Sequence, residues 1–287
     1  QFLFETGVID RVIVVAPAPV RDVWYDPVLG ELAKHLWLDL PATITEFHAR
    51  TRTWVHGPTD NRERTLDWYV TNYEFLVSVA RLRQLLAVCG PKTLLVLDES
   101  SYVKSHAAAR TKACLQLRRA CGRVVLLNGT PIFHSPLDLF SQVNIMHASV
   151  LDCKYVTLFK ARYAVQAPVL RYGGKPLTNK WGKAVMEVES WTNLDDLQRR
   201  LAPHTVRRLQ KDCLDLPEKL PSVALTATLD SSWPAYKQMR DELVVWLRGD
   251  TVATARTAAI KALRLAQITS GFVGGVEASG VDMSGDA

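Results

Sequence analysis

No stretch of this 287-residue sequence approaches the roughly 20 consecutive apolar residues that a membrane-spanning helix needs. The amino terminus, QFLFETGVID, is short and carries acids, so it does not read as a secretion signal. A soluble chain is the expectation. Cysteine is sparse: Cys89, Cys114, Cys121, Cys153 and Cys213 are odd in number, widely spaced and outside any CxxC or His-Cys cluster. That pattern argues against a zinc site and suits reduced thiols in an intracellular protein. Acids are outnumbered, with 29 Asp and Glu against 35 Lys and Arg, a formal net charge of +6 and a pI near 9.1. The balance fits a polyanion partner without establishing one. What is plentiful is core material: 48% hydrophobic and 22% charged residues suffice for one large core or two smaller ones.

Along the chain, β-branched runs alternate with helical stretches. RVIVVAPAP (Arg11 to Pro19) precedes a helix expected over Asp22 to Trp37, with Trp24, Val28, Leu32 and Leu36 inward. The rhythm returns at ATITEF (Ala42 to Phe47), WYVTNYEFL (Trp68 to Leu76), TLLVLDE (Thr93 to Glu99) and RVVLLNGTP (Arg123 to Pro131). Helices are expected at Phe75 to Val88 and His106 to Arg119. Apolar strands without alternation imply a parallel sheet covered on both faces, an α/β fold. From Met146 to Trp191 the pattern loosens into a stretch rich in Lys, Arg, Gly and Pro, which reads as an insertion (about 147–192) rather than sheet. A helix over Asn193 to Leu201 follows, then a linker marked by Pro217 and Pro221, a strand over Val223 to Leu229, helices over Trp233 to Leu247 and Thr251 to Ile268, and a glycine-rich tail. No internal repeat is evident.

LLVLDESSYVKS, Leu94 to Ser105, ends a buried strand on two acids. In an open parallel sheet, ligands bind beyond the carboxyl ends of the strands. Asp98 can there hold Mg²⁺, usually through water, and Glu99 can orient the water that attacks a γ-phosphate. The plain alternative is a strand that meets solvent, with Ser100 or Ser101 capping a helix. About thirty residues later, VVLLNGTPIFHSPLDLFSQV carries a second strand into Gly129, Thr130 and Pro131. That is one helix-and-strand unit on, so the two strand ends can be neighbours. Thr130 on its Gly129 turn can then sense the γ-phosphate; alone, the tripeptide is an ordinary turn.

Together these segments resemble a known family. DESSYVKS resembles the DEAH-type motif II, and LNGTPIFHSPLDLFSQV the LTGTP motif III, of superfamily-two helicases of the Swi/Snf type. VIVVAPAPVRDVW is similar to motif Ia with its tryptophan, and YVTNYEFL to the segment around motif Ib. HTVRRLQKDCLDLPEKLPSVALTATLDSSWPAYKQM is similar to the family's arginine pair, linker and following helix. The resemblance spans about residues 8 to 270 and implies a RecA-like lobe of the P-loop NTPase fold, ATP with Mg²⁺, and movement along duplex DNA. It implies DNA contacts from Ala16 and Pro17 and around Thr71 to Tyr73, through backbone amides and hydroxyls on phosphates. Arg207 and Arg208 would lie near the hinge, binding phosphate or pairing with acids. The basic run from Lys160 to Lys183 reads better as a solvated loop than as a DNA contact. Trp24, Trp68 and Phe140 read as core.

The departures are informative. Asn128 stands where the family usually has threonine, and Ser100 and Ser101 replace an Ala-His pair. No GxxxxGK followed by Ser or Thr occurs anywhere; Gly174-Lys175 and Gly182-Lys183 read as loop turns. A second lobe with its arginine finger would need on the order of a hundred further residues. The expectation is therefore a first lobe (1–210) without its phosphate (Walker A) loop, then a linker and the start of a second lobe (211–287), whose partners are DNA and those missing parts. An alternative is a non-hydrolysing nucleic-acid-binding or interaction module from a split or degenerate helicase; a third is the motor of a restriction or repair enzyme. The terse motif spacing suggests a bacterial or phage protein in the cytoplasm, or a nuclear one if eukaryotic.

Overall fold

The computed structural model describes residues 1–48, 50–58, 64–171, 174–213, 215, 229, 232–242, 244–246, 251–254, 258–270, 272–277 and 282–286. It divides into two compact units, Gln1–Arg208 and Leu209–Ala287. In the first, β1 (Arg11–Ala16), β2 (Ala42–Glu46), β3 (Arg52–His56), β4 (Leu66–Asn72), β5 (Thr93–Leu97) and β6 (Arg123–Leu126) form one sheet in the order β3-β2-β4-β1-β5-β6. All neighbours pair in parallel except β3, which runs antiparallel to β2 along the edge. That edge strand escaped the sequence reading because RTWVH is short and largely exposed. Charged, short edge strands of this kind resist further pairing.

Successive side chains of a strand point to opposite faces, so a sheet covered twice needs apolar residues at every position. β1 meets that demand. Ile13 and Val15 pack with Leu82, Leu85 and Leu117 on one face, and Val12 and Val14 with Tyr25, Leu32 and Leu36 on the other. The first face is covered by α4 (Val79–Leu86) and α5 (Ala109–Ala120), the second by α2 (Arg21–Tyr25) and α3 (Glu31–His35), with α1 (Phe2–Glu5) nearby through Phe4. Each fully buried aliphatic side chain contributes roughly 1.5–3 kcal/mol. The expected α/β sheet with helices on both faces is present.

Three local expectations are corrected. The helix over Asp22 to Trp37 is broken into α2 and α3, because Pro27 disfavours helical backbone at Asp26, which is extended (φ −51°, ψ 125°). Val28 is therefore exposed rather than inward. The loose segment is not sheet-free: α6 (Asp138–Met146), α7 (Ala148–Leu151) and α8 (Val156–Tyr163) are followed by an antiparallel pair, β7 (Ala164–Pro168) and β8 (Met186–Trp191), then α9 (Leu194–Leu201). A register shift at Val165/Gln166 and the prolines hid the strand periodicity. α6 to α9 share their own core of Leu139, Phe140, Val150, Phe159, Tyr163 and Leu197.

In the second unit, α10 (Gln210–Cys213), α11 (Trp233–Glu242) and α12 (Ala258–Thr269) accompany β9 (Val244–Trp246), β10 (Thr251–Thr254), β11 (Phe272–Glu277) and β12 (Asp282–Asp286). Here too helices are shorter than expected, since the Val- and Thr-rich ends form an antiparallel sheet. Met239 and Ile268 are buried between α11 and α12. Pro217, Pro221 and the strand over Val223 to Leu229, save Leu229 itself, lie outside the described residues. None of the described helices is long and apolar enough to cross a membrane.

One glycine marks a tight closure under the sheet. A Cβ at Gly122, just before β6, would fall 1.8 Å from the Pro91 carbonyl oxygen, whereas one at Gly90 meets nothing within 4 Å. Gly122→Ala should cost about 1–3 kcal/mol, as overpacking does, and Gly90→Ala no more than about 0.5 kcal/mol. Urea denaturation of both variants checks this; equal midpoints would refute the close approach.

Candidate active site

The acids sit where β5 ends, and the backbone fixes them there. The Leu127 amide donates to the Leu97 carbonyl (2.9 Å) while the Leu127 carbonyl accepts from the Ser100 amide (2.9 Å). One residue beyond β6 thus clamps both sides of Asp98 and Glu99. Asp98 itself is held from four directions. Its amide donates to Val15 O on β1 (2.9 Å), and its carbonyl accepts from the Tyr73 hydroxyl (2.7 Å). Oδ2 accepts from the Trp24 indole (2.8 Å), and Oδ1 from the Glu99 amide (3.0 Å). Asp98 is half-buried and Glu99 exposed. Glu99 adopts left-handed backbone (φ 47°, ψ 57°), a conformation costing a non-glycine residue of order 1–3 kcal/mol and typical of functional positions.

The second motif is drawn against the first by α6. Gln142 is 2% exposed; its Oε1 accepts from Ser100 Oγ (2.8 Å) and more distantly from Asn128 Nδ2 (3.5 Å), and its Nε2 donates to Pro131 O (2.9 Å) and Asp138 O (2.8 Å). Asn128 Oδ1 in turn accepts from the Thr130 amide (2.9 Å). Gly129 and Thr130 are exposed, and a Cβ on Gly129 would meet nothing within 4 Å, so the loop leaves open room beside the acids. Asn128, a departure from the family's threonine, here acts as a turn cap. Ser100, Asn128, Gln142 and Arg207 border one cleft of about 660 Å³. A larger cleft of about 980 Å³ lies between α5 and the α6–α8 region; neither cleft is lined by Asp98 or Glu99, and the smaller one adjoins them through Ser100. Size alone does not mark the site.

Such an arrangement suits Mg²⁺ and a nucleotide. Mg²⁺ takes one or two carboxylates and fills its shell with phosphate and water, so it needs no protein cage. Among the described residues there is no cluster of three or more His, Cys, Asp or Glu that could hold a metal. Asp98 keeps free lone pairs on both oxygens in a fixed orientation, and the space over Gly129 admits a phosphate. The residues fit the group.

The residues assigned to DNA are placed differently from one another. Ala16 and Pro17 are buried, which leaves their backbone alone for contact. Thr71 and Tyr73 are fully buried, and both hydroxyls are used internally, on Phe47 O (2.8 Å) and Asp98 O. The expectation of hydroxyls gripping phosphates at these two positions is corrected: a side chain needed to bridge strands inside the sheet cannot also reach solvent. Arg21, beside Pro17, is likewise engaged, its Nε 2.8 Å from buried Glu46, which also pairs with Arg52 (2.6 Å). Arg207 and Arg208 are exposed with no acidic partner among the described residues, which leaves them available to an anion. Phe140 packs in a core, and Trp24 and Trp68 are both half-buried against the second core; Trp24 in addition carries the indole donor to Asp98. Gln142 was the other omission. Its signal was a lone amide beside the core-forming Leu139, Phe140 and Val143 of DLFSQV.

A family model described as the SNF2-related domain matches residues 5–270. Among similar curated proteins, a Caenorhabditis elegans SWI/SNF-related matrix-associated actin-dependent regulator of chromatin subfamily A-like protein 1 homolog is 33% identical over 127 residues, 44% of this chain and 16% of that protein. The Mus musculus DNA annealing helicase and endonuclease ZRANB3 is 30% identical over 128 residues, 44% of this chain and 11% of that protein. The chain therefore spans only a small part of these relatives. A solved Sulfolobus solfataricus SWI2/SNF2 ATPase core in complex with dsDNA aligns at 19% identity and a TM-score of 0.48, over 93% of this chain and 49% of that one.

Burial, with the nearby Cys114, Asp98 and Glu99 as lesser contributors, pushes the Tyr73 phenol above its ordinary range. The folded chain thus favours the neutral ring. That stability is complete below the unfolded value near pH 10 and is lost as pH rises toward the folded one. Tyr73→Phe should cost about 0.5–1.5 kcal/mol at neutral pH through the lost bond to Asp98 O. The parent should also lose stability more steeply than the variant above about pH 10. Denaturation midpoints followed across that range provide the check; identical slopes would exclude Tyr73 as the source.

Proposed function

The chain belongs to the SNF2-related domain family, and from that membership we propose that it supplies the acid pair and DNA-facing loops of a Swi/Snf-type ATP-dependent DNA translocase, as an incomplete part of the motor. The observation that carries the reading is the clamp of Leu127 on Leu97 and Ser100, which holds Asp98 and Glu99 beside the Asn128–Pro131 loop. When bound, Mg·ATP supplies the transferable phosphoryl group and the charge that neutralises its oxygens. Asp98, aligned by Trp24 and the Glu99 amide, presents its carboxylate to the metal's water shell. Glu99 projects into solvent from its strained backbone, orients the attacking water and accepts its proton on Oε. Thr130, on the loop that Gln142 ties to Ser100, reads the phosphate state.

The remaining parts of the motor are proposed from family membership. These residues contain no GxxxxGK loop, and among the described residues β6 pairs only with β5, while its Val125 and the adjoining Leu127 are 42% and 37% exposed. An apolar strand with a bare edge suits a sheet continued by another segment, here the one bearing the phosphate loop. DNA is proposed to meet the backbone beyond Ala16 and Pro17, with Arg207 and Arg208 available to phosphate. The missing loop also keeps a second reading open: a module that binds DNA or a partner without hydrolysis.

The two readings separate in the laboratory. These 287 residues on their own should hydrolyse no ATP above background, since they contain no phosphate-loop lysine. In the protein carrying both lobes, Glu99→Gln should leave ATP binding intact and lower DNA-stimulated turnover by about 10²–10⁴-fold, as loss of a general base does. Asp98→Asn should also weaken the Mg²⁺-dependent part of nucleotide binding. Turnover within about twofold of the parent for Glu99→Gln, under 0.5 kcal/mol of barrier, would reduce the acids to a strand ending.

A further inference from the structure

Between β7 and β8 the chain closes a ring of three backbone hydrogen bonds. The Val169 amide donates to Val185 O (2.8 Å), Val185 to Leu177 O (2.7 Å), and Leu177 to Val169 O (2.7 Å). The three residues are eight apart, and each interval folds as a short arm. In the first, Leu170 bridges Pro176 and the Arg171 amide donates to Lys175 O (2.8 Å); in the second, Thr178 bridges Ala184 and the Asn179 amide donates to Lys183 O (2.8 Å). Both arms turn on a glycine in left-handed backbone, Gly174 (φ +78°) and Gly182 (φ +74°), each followed directly by a lysine. Asn179 Oδ1 further accepts from the amides of Trp181 (3.0 Å) and Lys183 (3.1 Å). The sequence shows no conspicuous repeat, yet the backbone makes one.

The arms bury little. Arg171, Lys175, Lys180 and Lys183 are exposed, Trp181 is 72% exposed, and no acid occurs anywhere from residue 169 to 185. Lys180 Nζ lies 4.4 Å from the Trp181 ring centroid. Hydrogen-bonded turns that hold four cations and an uncovered indole in solvent gain no core by doing so, while a charged groove or projection with a stacking ring is the usual equipment for nucleic-acid strands. We propose that these two arms grip DNA, with the cations on phosphates and Trp181 against an unpaired base. This rests on DNA being the partner, as proposed above, and adds where and how a strand is held. It also revises the reading of the run ending at Lys183 as a solvated loop.

Anisotropy titrations of the purified chain with single-stranded and blunt duplex DNA, at several salt concentrations, test both parts. Lys175→Ala/Lys183→Ala should make the log–log salt slope shallower by roughly 1.4–1.8, about 0.7–0.9 for each phosphate left without its cation. Lys92→Ala/Lys112→Ala, which removes two exposed charges from other elements, should leave the slope unchanged. Single strands should quench tryptophan emission more than the duplex does, and Trp181→Phe should abolish that difference. If the parent binds DNA and the arm variant keeps its slope, the grip is refuted while DNA remains the partner. If the parent binds neither DNA, both readings fall. If the Trp181→Phe chain retains the quench, the base contact is wrong.

Discussion

Leu127 gives its amide to Leu97 and its carbonyl to Ser100, and the candidate site depends on that pair of bonds. Each contributes only about 0.5–1.5 kcal/mol net, so their importance is geometric. They continue the β5–β6 ladder one residue past β6 and reach Ser100, three residues past β5, and a ladder cannot slip by a residue without turning every side chain to the opposite face. With Leu95 and Leu97 packed in one core and Val96 in the other, a slip is prohibitive. The register that buries the sheet therefore also sets the distance between the acids and the Asn128–Pro131 loop. Stability and site geometry are enforced by the same residues.

That coupling explains what could be read from the sequence. β1 and β5 were legible because double-sided burial demands unbroken apolar runs, and β2, β4 and β6 because β-branched and aromatic residues favour strands. The acids were legible because a charged pair at the end of such a run has no packing excuse. β3 was not, since an edge strand buries one face at most, and its RTWVH pattern is shared with many loops. The break between α2 and α3 was legible in principle: Pro27 after Asp26 is a helix stop, and the apolar spacing of Val28 outweighed it wrongly. In the second unit, Val- and Thr-rich ends of helix-like stretches went to strands, where β-branched residues fit better than in helices.

The positions of Trp24, Tyr73 and Gln142 were beyond sequence pattern for a different reason. Trp24 and Tyr73 are largely apolar residues whose polar tips matter, Gln142 is a polar residue inside a core-forming helix, and burial is what gives each polar group its value. An indole or phenol in solvent exchanges water freely; inside the sheet it must find an acceptor, and the acceptors available are the oxygens of Asp98. Gln142 shows the same logic with an amide. Unpaired, its side chain would carry the penalty of about 1–3 kcal/mol for a buried polar group; paired four ways, it specifies one arrangement of Ser100 and Pro131.

Asp98 joins three segments that are distant in sequence: Val15 at the end of β1, Tyr73 just past β4, and Trp24 on α2. The loops leaving β1 and β4 are the ones proposed to face DNA, so the residue proposed to serve Mg²⁺ touches the roots of both. Because Thr71 and Tyr73 are spent on internal bonds, any message between nucleotide and DNA must travel through backbone position rather than through a side chain shared by both ligands. Packed interiors transmit small displacements instead of absorbing them. Under the proposed function, a displacement of Asp98 would reach the β1 and β4 loops through its bonds to Val15 and Tyr73, as a shift of the strand ends themselves.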